Sequence, residues 1–163
     1  MIDPRRHQVP TWLLVALALG AAAGFAATAA AAHASSSPAT TISSRHTKKA
    51  GVILVGPRGQ TLYLFSSDRN GMSSCYGSCA RGWPPLRASG RPIAIRGSRV
   101  KQRWLSTTRR RDGIVQVTYD GYPLYVNGGH TQPGSLVGDS AHEFGGRWYA
   151  VPINGPEHTA VPK

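Results

Sequence analysis

Three hydrophobic textures follow one another along the chain. Residues 12–32 are uncharged, strongly apolar at first and then rich in alanine; residues 35–50 are polar, with almost nothing to bury. From Gly51 onward the apolar residues fall into short runs bounded by Gly, Pro, Asn and Asp, which is the signature of strands and turns. Residues 52–55 form one such run, residues 56–59 supply a turn, and residues 61–65 form a second run, so a hairpin is predicted. In that second strand Leu62 and Leu64 face one way and Tyr63 and Phe65 the other, following the two-residue period. Both faces are apolar, which predicts cover on both sides. Residues 66–80 read as a loop, and Trp83 with Pro84 and Pro85 reads as an anchored corner, since proline cannot donate to a strand ladder. Residues 87–101 show no clear pattern. Residues 104–108 and 114–119 then read as strands, Asp120-Gly121 as a tight turn into residues 122–126, and residues 147–153 as a last strand before a tail from Asn154. An Asp-Gly pair between alternating runs is a strong hairpin signal, because the glycine accepts a positive φ.

The pattern repeats. Gly59, Leu62 and Tyr63 return 62 positions later as Gly121, Leu124 and Tyr125, and each copy is followed by a polar, Gly-containing loop and a tryptophan, Trp83 or Trp148. One such unit is too small to close a core alone, and two can close it face to face. The prediction is an all-β protein: two hairpin-containing repeats, about residues 51–86 and 113–153, forming one small β domain over residues 51–153, with a flexible N-terminal segment after a signal helix.

The apolar run gives that segment its meaning. Arg5 and Arg6 precede it, and Ala32-His33-Ala34 places small residues where a signal peptidase cuts. Residues 1–34 therefore read as a signal peptide, cleaved after Ala34, and residues 35–50 as a disordered linker. Uncleaved, the run is long enough for a helix of about 20 residues to span a bilayer, and membrane contact is expected only in that case. No cysteine follows the run, so lipid attachment there is excluded. The localisation expected is secreted or cell envelope.

The two copies carry a resemblance. Tyr63-Leu64-Phe65-Ser66-Ser67-Asp68, Cys75-x-Gly77-x-Cys79, Trp83-Pro84-Pro85-Leu86, Gly121-x-Pro123-Leu124-Tyr125 and Gly146-x-Trp148-Tyr149 together resemble the bacterial secreted repeat of unknown function, described as predicted lipoproteins with a Tyr-x-(Phe/Trp/Tyr)-x-x-Asp motif. The resemblance implies a fold and an exported location; it implies no activity, substrate or cofactor. The second copy departs from the motif, with Asn127 in the aromatic position and His130 in place of the aspartate.

Candidate chemistry is sparse. Cys75 and Cys79 are the only cysteines, and in an exported chain they read as a disulfide pinching the loop before Trp83. The alternative is a thiol-redox or copper-binding loop, in which Met72, Cys75, Cys79 and His130 form a soft ligand set. His142-Glu143 does not complete a two-histidine zinc motif, because Gly146 stands where the second histidine belongs. No catalytic residue, metal site or cofactor is predicted. Asp68 is the best single candidate for a ligand site, against the plainer role of capping its own turn. Tyr63, Tyr125, Trp83 and Trp148 are expected in the core.

Charge is the remaining feature. The chain has 163 residues with 19 Lys+Arg against 7 Asp+Glu, a formal charge of +12, and loss of residues 1–34 leaves that excess almost intact. Arg96, Arg99, Lys101, Arg103, Arg109, Arg110 and Arg111 follow one another without an intervening acid, which makes them candidates for binding anions. Export directs them to anionic envelope polymers or lipid surfaces, and no sequence-specific nucleic-acid binding is expected, since no reading helix or stacking motif is present. The function expected is a non-enzymatic binding or structural module with a basic surface.

Overall fold

The computed structural model describes residues 38–129 and 132–155. The expected signal peptide, His130 and residues 156–163 of the expected tail lie outside the described residues. Within them the protein is all-β, in three three-stranded sheets. Strand β1 is Thr41–Thr47, β2 Gly51–Val55, β3 Tyr63–Phe65, β4 Ile93–Ala94, β5 Leu105–Arg109, β6 Val115–Tyr119, β7 Tyr122–Pro123, β8 His142–Glu143 and β9 Gly146–Ala150. One helix, α1 (Ser78–Gly82), and a 3-10 turn, Gln102–Trp104, complete the elements. The sheet orders are β2-β1-β4, β3-β9-β8 and β5-β6-β7.

Strand β1 corrects the reading of residues 35–50 as a disordered linker. It pairs antiparallel with β2 from Ser43↔Val55 to Thr47↔Gly51 and parallel with β4, the segment that carried no clear sequence pattern. The segment has almost nothing apolar to bury, yet Ile42 is fully buried and Thr40, just before the strand, is nearly so. The Thr40 hydroxyl donates to the Arg87 carbonyl and accepts from the Ser89 N–H. Backbone pairing on both edges, not side-chain apolarity, makes this a strand.

With β1 in place, each repeat starts one strand earlier than the sequence pattern suggested. Hairpin β1–β2 has its counterpart in β5–β6: Ser44↔Leu54 in one matches Thr107↔Val117 in the other. Ile42 and Leu105 are equivalent and both buried. The turn after β6 is as predicted. Asp120 and Gly121 both adopt positive φ (51° and 85°), and Tyr119 pairs with Tyr122 across them.

The repeats do not merely stand side by side; they exchange their last strands. Strand β3 pairs with β9 of the second copy, Tyr63 opposite Ala150, while the backbone at Tyr125 pairs with Pro85 of the first. The hydrogen bonds follow the same two-fold logic. Val151 N–H donates to the Leu62 carbonyl and Leu86 N–H to the Leu124 carbonyl; Leu54 N–H donates to Val151 and Val117 N–H to Leu86. On the pseudo-axis Tyr63 and Tyr125 bond each other, N–H to carbonyl in both directions at 2.9 and 3.0 Å. The hairpin predicted between residues 52–55 and 61–65 survives as the Val55↔Thr61 bridge and the Leu62-to-Leu54 bond, but most pairing of β3 is with the other copy. Neither copy can satisfy its central strand alone, and an unpaired buried N–H or carbonyl is costly.

Alternation along β3 divides the core in two, as the pattern predicted. Leu62 and Leu64 enter an aliphatic cluster with Ile42, Leu54, Leu105, Val117, Leu124 and Val151. Tyr63 and Phe65 enter an aromatic cluster with Trp83, Tyr125, Trp148 and the two cysteines. There Trp83 and Trp148, equivalent residues of the two copies, stack at 4.1 Å with their planes 3° apart, and Phe65 stacks on the other side of Trp148 at 4.2 Å. Tyr63 meets Trp83 edge-on and Tyr125 meets Trp148 edge-on, both at 5.1 Å. Edge-on and offset-stacked contacts contribute about 0.5–1.5 kcal/mol each beyond burial.

Candidate functional site

The residue that the sequence singled out, Asp68, lies at the centre of a polar network inside the aromatic half of the core. Its carboxylate is 3% exposed. One oxygen accepts from the Ser74 N–H and hydroxyl at 2.8 and 2.9 Å; the other accepts from the Tyr125 hydroxyl at 2.7 Å. The expected turn-capping role is thus filled by Ser74 rather than by the N–H groups of residues 69–71. The motif tyrosine of the second copy completes it, so the motif aspartate of one repeat is held by the motif tyrosine of the other.

Behind that pair stands Arg110. It is 3% exposed, and it corrects its own assignment as a surface anion-binding residue. Its Nη1 donates to Ser73 Oγ at 2.6 Å and to Gln116 Oε1 at 3.0 Å, its Nη2 donates to the Cys75 carbonyl at 2.7 Å, and Asp112 closes a forked ion pair at 3.1 Å. Ser73 Oγ lies 2.8 Å from the Tyr125 hydroxyl, joining the two halves. Gln116, fully buried, passes the chain to the Leu124 carbonyl. Alternate residues of an extended segment face opposite sides, so Arg110 turns inward between Arg109 and Arg111, both exposed. A buried guanidinium is tolerated because its donors are answered.

Burial sets the protonation here. Desolvation raises the Asp68 pKa above the ordinary carboxylate value, against the opposing pull of the Ser74 and Tyr125 hydrogen bonds and the Arg110 charge. Tyr125 is raised far above an ordinary phenol, first by burial and then by the neighbouring Asp68 charge, so its hydroxyl stays a donor. Asp112 moves the other way, held down chiefly by its hydrogen bonds from Arg110.

The cysteines are joined. Cys75 and Cys79 form a disulfide with their Cα atoms 5.2 Å apart, and Cys79 lies within α1, which the sequence pattern had read as loop. Neither sulfur is then a thiolate ligand. Met72 is exposed at the loop surface, and His130 lies outside the described residues. Among the described residues no three His, Cys, Asp or Glu side chains cluster as a metal site would require. His142 and Glu143 are exposed on β8, and Glu143 accepts from the Trp83 indole N–H at 2.7 Å.

The other motif residues are structural in their contacts. Gly59 and Gly121 take positive φ in their turns, Leu62 and Leu124 fill the aliphatic cluster, and Tyr63, Phe65, Trp83, Tyr125 and Trp148 form the aromatic one. Two hollows open along the loop of residues 67–76. One, of about 360 Å³, lies between residues 68–71 and 120–123, where the turn at Asn70-Gly71 faces the turn at Asp120-Gly121. Another, of about 340 Å³, is bordered by Ser67, Arg69, Met72, Tyr76 and Arg111.

The remaining basic candidates do not make one patch. Arg96, Arg99 and Arg103 are exposed on the approach to β5, and Lys101 is half-buried with its ammonium 3.5 Å from the Trp104 ring centre. Arg109, the last residue of β5, and Arg111, just past it, are exposed at the far end. At about 3.3 Å per residue, that strand separates the two groups by roughly 13 Å from its first residue to its last.

A duplicated all-β fold with exchanged strands and a disulfide beside its motif aspartate defines a class of paired-repeat proteins. The chain belongs to the family described as the secreted repeat of unknown function, whose model matches it twice, at residues 44–87 and 106–152. Both matches begin close to the strand that opens each structural copy, β1 or β5. No curated protein and no solved structure matches the chain.

Proposed function

We propose that this secreted protein is a non-enzymatic binding or structural module of the cell envelope, made with a signal peptide over residues 1–34 and directed to anionic envelope polymers or lipid headgroups. The observation that carries the reading is where the charges go. Among the described residues the one ion pair is Arg110–Asp112, and it holds Arg110 inside the protein. Arg96, Arg99, Arg103, Arg109 and Arg111 are left in solvent. Asp68, the best candidate for local chemistry, is spent on Ser74 and Tyr125. Cations facing solvent attract polyanions at long range and lose that attraction as salt screens it. The test is binding of the purified protein to a soluble polyphosphodiester and to anionic vesicles at about 10 mM and about 150 mM salt, where the screening length falls from about 30 to about 8 Å. Binding that weakens at least tenfold supports the reading; binding absent at low salt overturns it.

A further inference from the structure

Resting on that reading, we infer that the hollow bordered by Arg69 and Arg111 is a phosphate site. Two arginines, Arg69 and Arg111, border this one space of about 340 Å³. Arg69 is fixed by one nitrogen only: its Nη1 donates to the Ser66 and Asp68 carbonyls at 2.6 and 2.8 Å. The other N–H groups of its guanidinium have no hydrogen-bond partner among the described residues. Arg111 uses its backbone N–H, which donates to the Tyr76 hydroxyl, and its guanidinium lies 4.5 Å from the Tyr76 ring centre with no side-chain acceptor among the described residues. The Arg110 guanidinium also lies over the Tyr76 ring, at 4.4 Å, so the ring contacts both cations and helps to position the exposed one. Planar forks held in this way are pre-organised for oxyanions.

The carboxylates adjoining Arg69 and Arg111 in the sequence, Asp68 and Asp112, are already committed. Asp68 faces inward to Ser74 and Tyr125, and Asp112 answers Arg110. Neither is available to neutralise Arg69 or Arg111. One fork satisfies the two oxygens of a carboxylate, whereas a tetrahedral phosphate has oxygens enough for two forks at once. The exposed thioether of Met72, 46% accessible, and the half-buried Tyr76 ring border the same space and give the group that carries the phosphate an apolar wall. Phosphate is therefore the ligand chemistry, whether as a polymer phosphodiester, a lipid headgroup or free phosphate.

The experiment measures binding of the whole purified protein to three probes: poly(glycerol phosphate), vesicles of phosphatidylglycerol in phosphatidylcholine, and inorganic phosphate. The site variant is Arg69→Gln with Arg111→Gln; the control is Arg58→Gln with Arg91→Gln, an equal loss of charge at exposed positions outside the anion-binding candidates. A urea midpoint within error of the unmodified protein shows that each variant folds. The expected result is a loss of at least tenfold for the site pair and less than threefold for the control, and the probe that shows it identifies the source of the phosphate. Arg69→Lys with Arg111→Lys keeps the charge but removes the forks, and it should still lose severalfold. Equal losses from site and control pairs overturn the site while leaving the broader polyanion reading intact. No binding of any probe by the unmodified protein overturns both.

Discussion

The two repeats build the same frame and fill it differently. Tyr63 and Tyr125 exchange backbone bonds, and Trp83 and Trp148 stack as equivalents, so down to the rings the copies are interchangeable. Beyond the rings they part. Phe65 extends the stack over Trp148, but Asn127 stands in the matching position, and the Gly138 backbone comes so close to the Trp83 ring that a Cβ there would overlap it. The Trp83 indole N–H is answered by Glu143; that of Trp148 is buried with no partner among the described residues. Asp68 receives the Tyr125 hydroxyl, while the Tyr63 hydroxyl donates to the Ser135 carbonyl. What the copies share makes the fold, and what they do not share gathers polar groups on one side of it.

The shared part should carry the largest effects. Trp83→Ala and Trp148→Ala each remove a ring that is at most 2% exposed and stacked on its equivalent, and each should cost about 3–5 kcal/mol in urea unfolding. Because the rings are equivalent, the two losses should agree within about 1 kcal/mol, and the double variant should cost less than their sum, since residues in contact couple. Additive losses would mean that the stack is not a unit, and the pseudo-symmetric account of the core would fail.

How much of this was legible in the sequence follows the same division. The repeat, the Asp120-Gly121 turn, the two-faced β3 strand and the buried aromatics could be read because each depends on local pattern: a spacing, a turn pair or an alternation. Strand β1 could not, because Thr41–Thr47 buries little and owes its form to β2 and β4 on either edge. Strand exchange leaves no local trace either, since Tyr63 opposite Ala150 is a pairing between distant segments. Helix α1 is five residues, preceded by Gly77 and ending on Gly82, too short for a periodic signal, with the disulfide tying its first turn to Cys75. Arg110 was hidden in a run of three arginines. The available signal was parity, which turns the middle residue of three inward when its neighbours face out.

The unshared part should separate the two motif tyrosines. Tyr125→Phe strips a donor from a buried carboxylate, and Tyr63→Phe strips one from a neutral carbonyl. A hydrogen bond to a charged group contributes about 1.5–3 kcal/mol and an ordinary one about 1, so Tyr125→Phe should be the more damaging by roughly 1 kcal/mol in the same assay. Equal costs would indicate that Asp68 is neutral or otherwise served, and the asymmetry drawn between the copies would lose its energetic content.

The smallest effect is the one that tests Asp68 most directly. Burial raises its pKa in the folded protein, so between the ordinary carboxylate value of about 3.9 and the raised one, the folded state holds more proton than the unfolded chain. Stability must therefore fall as pH rises through that window. Asp112, whose pKa is lowered by Arg110, has the opposite sign and acts below the ordinary value, where its contribution is lost as pH falls. The two windows do not overlap, so acid conditions report on Asp112 and mildly acidic ones on Asp68. Asp68→Asn keeps the shape and the acceptor for Tyr125 but cannot titrate. Urea midpoints from about pH 4 to about pH 7 should therefore decline more steeply in the unmodified protein than in Asp68→Asn, with the two curves parallel above the raised pKa. Parallel curves across the whole range would show that Asp68 titrates as an ordinary carboxylate. The hydrogen bonds from Ser74 and Tyr125 and the charge of Arg110 would then fully offset its burial, and the polar side of the core would be as settled as the symmetric one.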